Sequence, residues 1–393
     1  MPTAVIVDAI RTPSGRGKPG GALNAVHPVD LLAGTLTALV ERSGLDPELL
    51  DDVIAGCISQ AGTQSVNIAR NAVLAAGFPE HVPATTIDRQ CGSSQQAAAF
   101  AAQGVMAGAY DVVIACGIEE MSRNPIGFAT LGVDPYGTAV AARYPGGLVG
   151  QGISAELVAQ RWGLTREQLD EFAARSHRLA AAAAASGAFA NEIVPVEVDG
   201  TLVTEDQTIR AGTTLEGLAG LSAAFRTEEA AARFPEVQEW KITAGNSSPL
   251  TDGASAALIM SETKAAQLGL TPRARFHSFA VTGSDPILML TGIIAATQKV
   301  LAKAGLTIDD MDVYEVNEAF ASVPLAWLAD TGADPDRLNP RGGAIALGHP
   351  LGASGGRLLA TMLNELESSG GRYGLQTVCE GNGMANATII QRL

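Results

Sequence analysis

Apolar positions along this chain fall into short continuous runs and longer amphipathic stretches, and the two kinds alternate. Ala4-Val5-Ile6-Val7 is a short apolar run that reads as a strand. A helical stretch then ends at Ser43-Gly44-Leu45, and Leu50-Asp51-Asp52-Val53-Ile54 follows as a strand. The same succession recurs at Ala304-Gly305-Leu306 and Asp310-Met311-Asp312-Val313-Tyr314. A helix beginning at Cys91 leads to the apolar run Tyr110 to Gly117, and a helix beginning at His349 leads to Tyr373 to Gly381. The chain thus repeats itself with an offset of roughly 260 residues. Alternating helices and strands point to an α/β fold with parallel sheets covered by helices.

The stretch near 120–247 has no counterpart in the second half. It is richer in Pro, Gly and charge, and holds two amphipathic helices, Ser154 to Trp162 and Arg166 to Ser186. It reads as a lid inserted into the first half. The expected division is 1–119 plus 248–270 for one half, 120–247 for a loop domain, and 271–393 for the other half. The alanine run Ala180 to Ala185 reads as a tightly packed helix face.

Composition narrows the picture. Of 393 residues 47% are hydrophobic and 17% charged, which suits a large core; aromatics are only 5%, so packing must come from alanine and glycine at close helix–sheet approach. The four cysteines are too few for a disulfide framework, and with no CxxC pair a zinc site is not expected. No basic leader and no long uncharged apolar stretch is evident, so a cytoplasmic location without a membrane span is expected. The net charge of −15 argues against nucleic acid, and any phosphate-bearing ligand would need a local basic patch.

Candidate chemistry sits in glycine-punctuated turns. Cys91 follows Asp88-Arg89-Gln90, between a strand ending near Ile87 and a helix starting near Ser94. A helix N-terminus favours a thiolate, and its free amides can hold an oxyanion. Ser93 or Ser94 is expected to cap that helix. The plain alternative is a buried cysteine acting as a small hydrophobe. His349 lies between Gly348 and Pro350 at another helix start, where neutral imidazole is favoured and can act as base. Cys379 ends the apolar run Leu375 to Val378 and precedes Gly381 and Gly383. If it shares a pocket with Cys91 it can serve as acid and base; otherwise it is a core strand cysteine. Cys57 and Cys116 read as packing, and His27, His81, His177 and His277 as surface or core. Asn317, after the strand Val313 to Val316, either orients a water or a carbonyl oxygen or simply caps a helix.

Taken together in this order and spacing, these segments resemble the thiolase family. The resemblance runs from Ile10-Arg11-Thr12-Pro13 through the Cys91 turn, Gly245-Asn246-Ser247-Ser248 with Asp252-Gly253-Ala254, Asn317-Glu318-Ala319-Phe320 and Gly348-His349-Pro350 to Cys379-Glu380-Gly381. It implies a thiolase fold: two duplicated α/β halves in a five-layered αβαβα sandwich with an inserted loop domain. It implies reversible CoA-dependent cleavage of 3-ketoacyl-CoA to acetyl-CoA and a shortened acyl-CoA, with an acetoacetyl-CoA thiolase working in condensation as the alternative. It implies that Cys91 takes the acyl group, His349 removes its proton, and the amides of Cys91 and Gly381 hold the acyl oxyanion. His349 and a water on Asn317 would hold the other thioester oxygen, and Cys379 would protonate the acetyl-CoA enolate. Coenzyme A would be a substrate, with no tightly bound cofactor; Arg210, Phe225, Ser248, Ala319 and Phe320 are its expected contacts. A homodimer or homotetramer is expected.

The sequence also departs from the family pattern. The nucleophile turn has Gln90, Ser94 and Gln95 where Leu, Gly and Leu are frequent. Gly150-Gln151-Gly152 stands where the acetoacetyl-CoA branch commonly has His-Met-Gly, which leaves room for a longer or bulkier acyl group. Pro249 follows Ser248, Leu221-Ser222-Ala223-Ala224 precedes Phe225, and the segment after Met121 is short, so the tetramer-forming loop of some relatives is expected to be missing. Phe128, Leu131 and Leu148 either line an acyl tunnel or pack within the loop domain. Ketoacyl synthases share the implied fold but lack a second catalytic cysteine, so Cys379 argues against them. A non-catalytic scaffold would be expected to have lost Cys91, His349 or Cys379.

Overall fold

The computed structural model describes residues 2–393. Its ten-stranded main sheet divides into two halves of matching strand order. In the first, Ala4–Arg11, Thr251–Ser261, Val112–Glu120, Asp52–Gly56 and Ala84–Ile87 lie side by side. In the second, Ala274–Gly283, Met384–Arg392, Tyr373–Glu380 and Val313–Val316 repeat the first four. Asp52–Gly56 runs parallel to Val112–Glu120 just as Val313–Val316 runs parallel to Tyr373–Glu380, and Ala84–Ile87 adds a further parallel strand beside Asp52–Gly56; the remaining pairings of these strands are antiparallel. The halves join where Val5 pairs with Arg275 and Ile6 with Ala274. The repeat read from the sequence is therefore the organisation of the sheet.

Alternation of side chains across each strand builds the layers. Val5, Ile114 and Cys116 pack on one face with the helices Pro28–Ser43 and Ile68–Ala75. Ile6, Val113 and Ala115 face the other way, onto Ser93–Met106 and Ser354–Ser369. In the second half Val316, Leu375 and Ile389 pack with Gly292–Ala304 and Ser322–Thr331, while Val313 and Ile390 join the central group. The result is five layers, helix–sheet–helix–sheet–helix, with the helices that follow Cys91 and His349 together in the middle. Their contact explains the composition. Ala97, Ala98, Ala101 and Ala102 line the central helix Ser93–Met106, and a Cβ on Gly355 would overlap the backbone of Gln95.

Beyond Glu120, residues 121–247 add no strand to the main sheet among the described residues; their Val196–Val198 pairs only with Thr201–Val203. The two amphipathic helices are present as Gln151–Arg161 and Arg166–Ala185, the latter opened by a reciprocal Thr165/Gln168 cap. The alanine run packs along one stripe only. Ala180 and Ala183 are buried, and a Cβ on Gly342 would crowd Ala180, whereas Ala182, Ala184 and Ala185 are exposed. No described helix is long and apolar enough to cross a membrane.

Candidate active site

The Cys91 turn is locked by its own side chains. Asp88 Oδ1 accepts the Gln90 N–H at 2.6 Å, and Gln90 adopts φ 48°, a left-handed conformation costly for a non-glycine residue. Ser93 Oγ donates to Gln90 O at 2.6 Å and accepts the Arg89 N–H at 2.9 Å. Ser93 therefore ties the turn rather than capping the helix. The N-cap is Gly92, without a side-chain bond, and Ser94 Oγ instead accepts the Gly356 N–H at 3.0 Å, joining the two central helices. Both cap expectations are corrected: the Ser93 hydroxyl holds the Cys91 turn and the Ser94 hydroxyl joins the central helices.

Cys91 is 2% exposed. Burial pushes its thiol up to about 12; a hydrogen bond from Gln151 pulls the other way, and Glu380 and Glu119 push it further up. The helix N-terminus expected to favour thiolate is thus outweighed by desolvation in the resting state. Gln151 Nε2 lies 3.7 Å from Cys91 Sγ.

His349 is fixed from four directions. Gly348 holds φ 85°, and Thr251 Oγ1 accepts the His349 N–H at 2.9 Å. The following turn docks on the first half, where Glu119 Oε2 accepts the Gly352 N–H at 3.0 Å. Nδ1 lies 2.6 Å from Ser354 Oγ, and that hydroxyl donates to Pro350 O at 2.8 Å. With its one proton spent, Ser354 must accept, which assigns the ring proton to Nδ1 and leaves Nε2 as the basic nitrogen. Asn317 Nδ2 lies 3.3 Å from Nε2. Burial, then the charge of Arg357, brings the imidazole down to about 3. The ring is neutral, as expected, although burial is the larger cause.

Asn317 is delivered by strand pairing. Its N–H donates to Thr377 O at 3.0 Å, setting it beside the strand that ends in Cys379. Asn317 Oδ1 is buried and without a hydrogen-bond partner among the described residues. Cys379 is buried, and its thiol is pushed well up by burial, then by Cys91 and Glu380; Cys91 packs in one cluster with Val378, the residue before Cys379. The turns also touch through glycine: a Cβ on Gly92 would overlap Glu380 Oε1, and one on Gly381 would lie 2.7 Å from Gln90 Oε1. Cys57 and Cys116 are free and buried in the apolar cluster of the first half, as the packing reading expects.

Four of the five expected CoA contacts come together. Ser248 N donates to Ala319 O at 3.0 Å, Ser247 bridges Phe320, and the Phe225 and Phe320 rings meet edge to face at 5.8 Å. Arg210 is exposed and its N–H donates to His177 Nδ1 at 3.2 Å, so no recorded contact joins it to those four. Of the apolar candidates, Leu131 is 76% and Phe128 38% exposed; both present surface rather than an enclosed tunnel.

Comparison with known proteins decides the family. Residues 4–263 match the model of the thiolase N-terminal domain and residues 270–392 that of the thiolase C-terminal domain. The chain belongs to the thiolase family. This thiolase is 47% identical over 401 residues to the steroid 3-ketoacyl-CoA thiolase FadA6 of Mycobacterium tuberculosis, covering 100% of the chain and 95% of the relative. It is 44% identical to a 3-ketoacyl-CoA thiolase of Vibrio cholerae, with 100% of both chains covered. The crystal structure of the Bacillus anthracis acetyl-CoA acetyltransferase superposes with a TM-score of 0.87 at 36% identity, over 100% of this chain and 99% of that one. The five-layered fold and the acyltransferase class follow. Three residues that contact these side chains or their turns are weakly marked in the sequence. Ser354 was discoverable as a hydroxyl at the helix start just after His349. Thr251 carries no local signal, and Glu380 directly follows Cys379 with no role that the resemblance implies.

Proposed function

We propose that the enzyme cleaves 3-ketoacyl-CoA with CoA, giving acetyl-CoA and a shortened acyl-CoA through an acyl-Cys91 intermediate. The observation that carries this reading is that buried Cys91 packs with Val378, the neighbour of Cys379, while Asn317, paired beside that same strand, reaches a histidine whose Nε2 is the basic nitrogen. Cys91 gives its proton to His349 Nε2 and attacks C3 of the substrate, with the backbone amides of Cys91 and Gly381 receiving the oxyanion. The C2–C3 bond breaks, and its electron pair becomes the enolate of acetyl-CoA. A water held by Asn317 Oδ1, together with protonated His349, stabilises that enolate, and the Cys379 thiol protonates C2. The Cys379 thiolate then takes the CoA thiol proton. CoA sulfur attacks the acyl group, and Cys91 leaves as thiolate and recovers its proton from His349.

Ser248, Phe225, Ala319 and Phe320 are proposed to hold the pantetheine and adenine parts of CoA, with Arg210 toward the phosphates and 120–247 as the CoA and acyl domain. Gln151, where the acetoacetyl-CoA branch has Met, supports an acyl group longer or bulkier than acetyl, and the breakdown of lipid or steroid side chains as its setting. The test is CoA-dependent cleavage of a 3-ketoacyl-CoA panel running from acetoacetyl-CoA through linear chains to a bulky cyclic acyl group. Preference for a longer or bulky member is expected. Preference for acetoacetyl-CoA would establish acetyl-CoA acetyltransferase chemistry instead, and no cleavage of any member would overturn the reading.

A further inference from the structure

We propose that Gln151 is a further catalytic residue: its side-chain amide donates to the Cys91 sulfur, stabilises it as thiolate, and loses that charged acceptor when the sulfur is acylated. The inference rests on the thiolase reading above and deepens it. Gln151 Nε2 lies 3.7 Å from Cys91 Sγ, and this is the one side-chain hydrogen bond recorded at that sulfur among the described residues. An N–H donor binds a thiolate more strongly than a thiol or a thioester sulfur, because the acceptor then carries full charge.

The amide is built in rather than incidental. Gln151 opens the helix Gln151–Arg161 directly after Gly150. Gly152 has no Cβ, and one placed there would overlap the Phe225 ring, so the helix start seats against that ring. Ser154 Oγ donates to Ile287 O at 2.7 Å, and the Glu156 carboxylate accepts the N–H groups of Lys241 and Ile242 at 2.7 to 2.9 Å. These bonds pin the first turn of the helix and hence the reach of the Gln151 side chain.

The site needs such a donor. With the thiol lifted to about 12 and the imidazole lowered to about 3, passing the proton from Cys91 to His349 is strongly uphill in the resting enzyme. Glu380 and Glu119 add to the cost, and the Gln151 amide is the largest influence that opposes it. A methionine at this position, as in the acetoacetyl-CoA branch, has no N–H to offer. In the cycle, the Cys91 S–H proton goes to His349, and the sulfur lone pair accepts from Gln151. When the S–C bond forms, that charge is consumed and the hydrogen bond weakens. When CoA sulfur displaces the acyl group, the S–C bond breaks and Cys91 leaves as a thiolate onto the same N–H. A stabilised thiolate is a weaker nucleophile but a better leaving group, so the larger benefit falls on deacylation.

The test is the pH dependence of iodoacetamide alkylation at Cys91 in full-length Cys379→Ala protein, with the labelled peptide identified by mass. Gln151→Met keeps the volume and removes the donor. Gln151→Glu keeps the shape and sets a carboxylate beside the sulfur. Thermal melting of each variant selects folded protein for the comparison. Gln151→Met is expected to move the profile upward by about one pH unit, the scale of one hydrogen bond to a charged group, and to alkylate about threefold more slowly at neutral pH, because the less stabilised thiolate is also the better nucleophile. Gln151→Glu is expected to be slower still. A Gln151→Met profile that superimposes on that of the parent, or a Gln151→Glu protein that alkylates as fast as the parent, would overturn the proposal. Alkylation reads the sulfur without turnover, so failure of the thiolase reading appears only in the substrate panel and failure of this one only in the pH profile.

Discussion

The ring nitrogen Nδ1 of His349 sits 2.6 Å from Ser354 Oγ, and the Ser354 hydroxyl donates its own hydrogen bond to Pro350 O. This short chain determines which nitrogen of a buried imidazole is the base. It links the turn carrying His349 to the first residue of the central helix, so tautomer and backbone position are set by the same hydroxyl.

Ser354→Ala should therefore lower kcat on the order of tenfold, the scale of one lost hydrogen bond at a catalytic group. Ser354→Thr, which keeps the hydroxyl, should recover most of it. Steady-state kinetics on the best substrate checks this. Equal activity in Ser354→Ala and the parent would refute the tautomer assignment.

Cys91→Ala should abolish both cleavage and condensation. Cys379→Ala should stop full turnover yet still permit some acylation of Cys91. Intact-protein mass after mixing with 3-ketoacyl-CoA in the absence of CoA reads the acyl adduct. Normal turnover in Cys379→Ala would sink the two-cysteine mechanism.

Gly348→Ala should destabilise the protein by about 2 kcal/mol and impair catalysis as well. Its φ of 85° disfavours any side chain, and an added Cβ would lie 2.7 Å from Thr251, the residue that anchors the His349 N–H. Thermal melting with parallel assays checks both effects; an unchanged Tm would show the turn to be more compliant than this.

Glu380 should impose a pH signature on stability. Its carboxylate oxygens have no hydrogen-bond partner among the described residues. Burial raises it to about 9 from an ordinary 4.5, against a smaller lowering by Arg89. A carboxyl whose folded value is raised contributes stability fully present below about 4.5 and lost as pH rises through about 9. Glu380→Gln, isosteric and neutral, should flatten that decline, so the variant gains Tm relative to the parent as pH climbs across this window. Parallel Tm–pH curves for the two proteins would contradict it.

His349 acts with the opposite sign. Its folded value lies near 3, below the ordinary 6.5, so the unfolded chain binds the proton more readily, and stability falls as pH drops from about 6.5 toward 3. Activity should consequently show no acid limb near 6.5 from this residue. His349→Ala should remove its share of the acid destabilisation, measured by urea unfolding at pH 4 and 7. An unchanged pH dependence in the variant would refute the assignment.

The sequence by itself determined the duplicated α/β plan, the insert after Glu120, and the turns that carry Cys91, Asn317, His349 and Cys379. These are local signals: apolar runs, helix stops, and glycine beside a reactive side chain, all read within a few residues. Tertiary structure decided the rest. Cys91 loses its helix-terminus advantage because the surrounding layers strip it of water, an effect that belongs to the whole fold. Gln151 reaches Cys91, and Thr251 reaches the His349 backbone, only because elements 60 and 98 residues apart in sequence are brought together. A hydrogen bond across many residues leaves no trace in local pattern. Arg210 and the exposed Leu131 show the converse, since their residue types fitted a role that the packing around them does not itself supply.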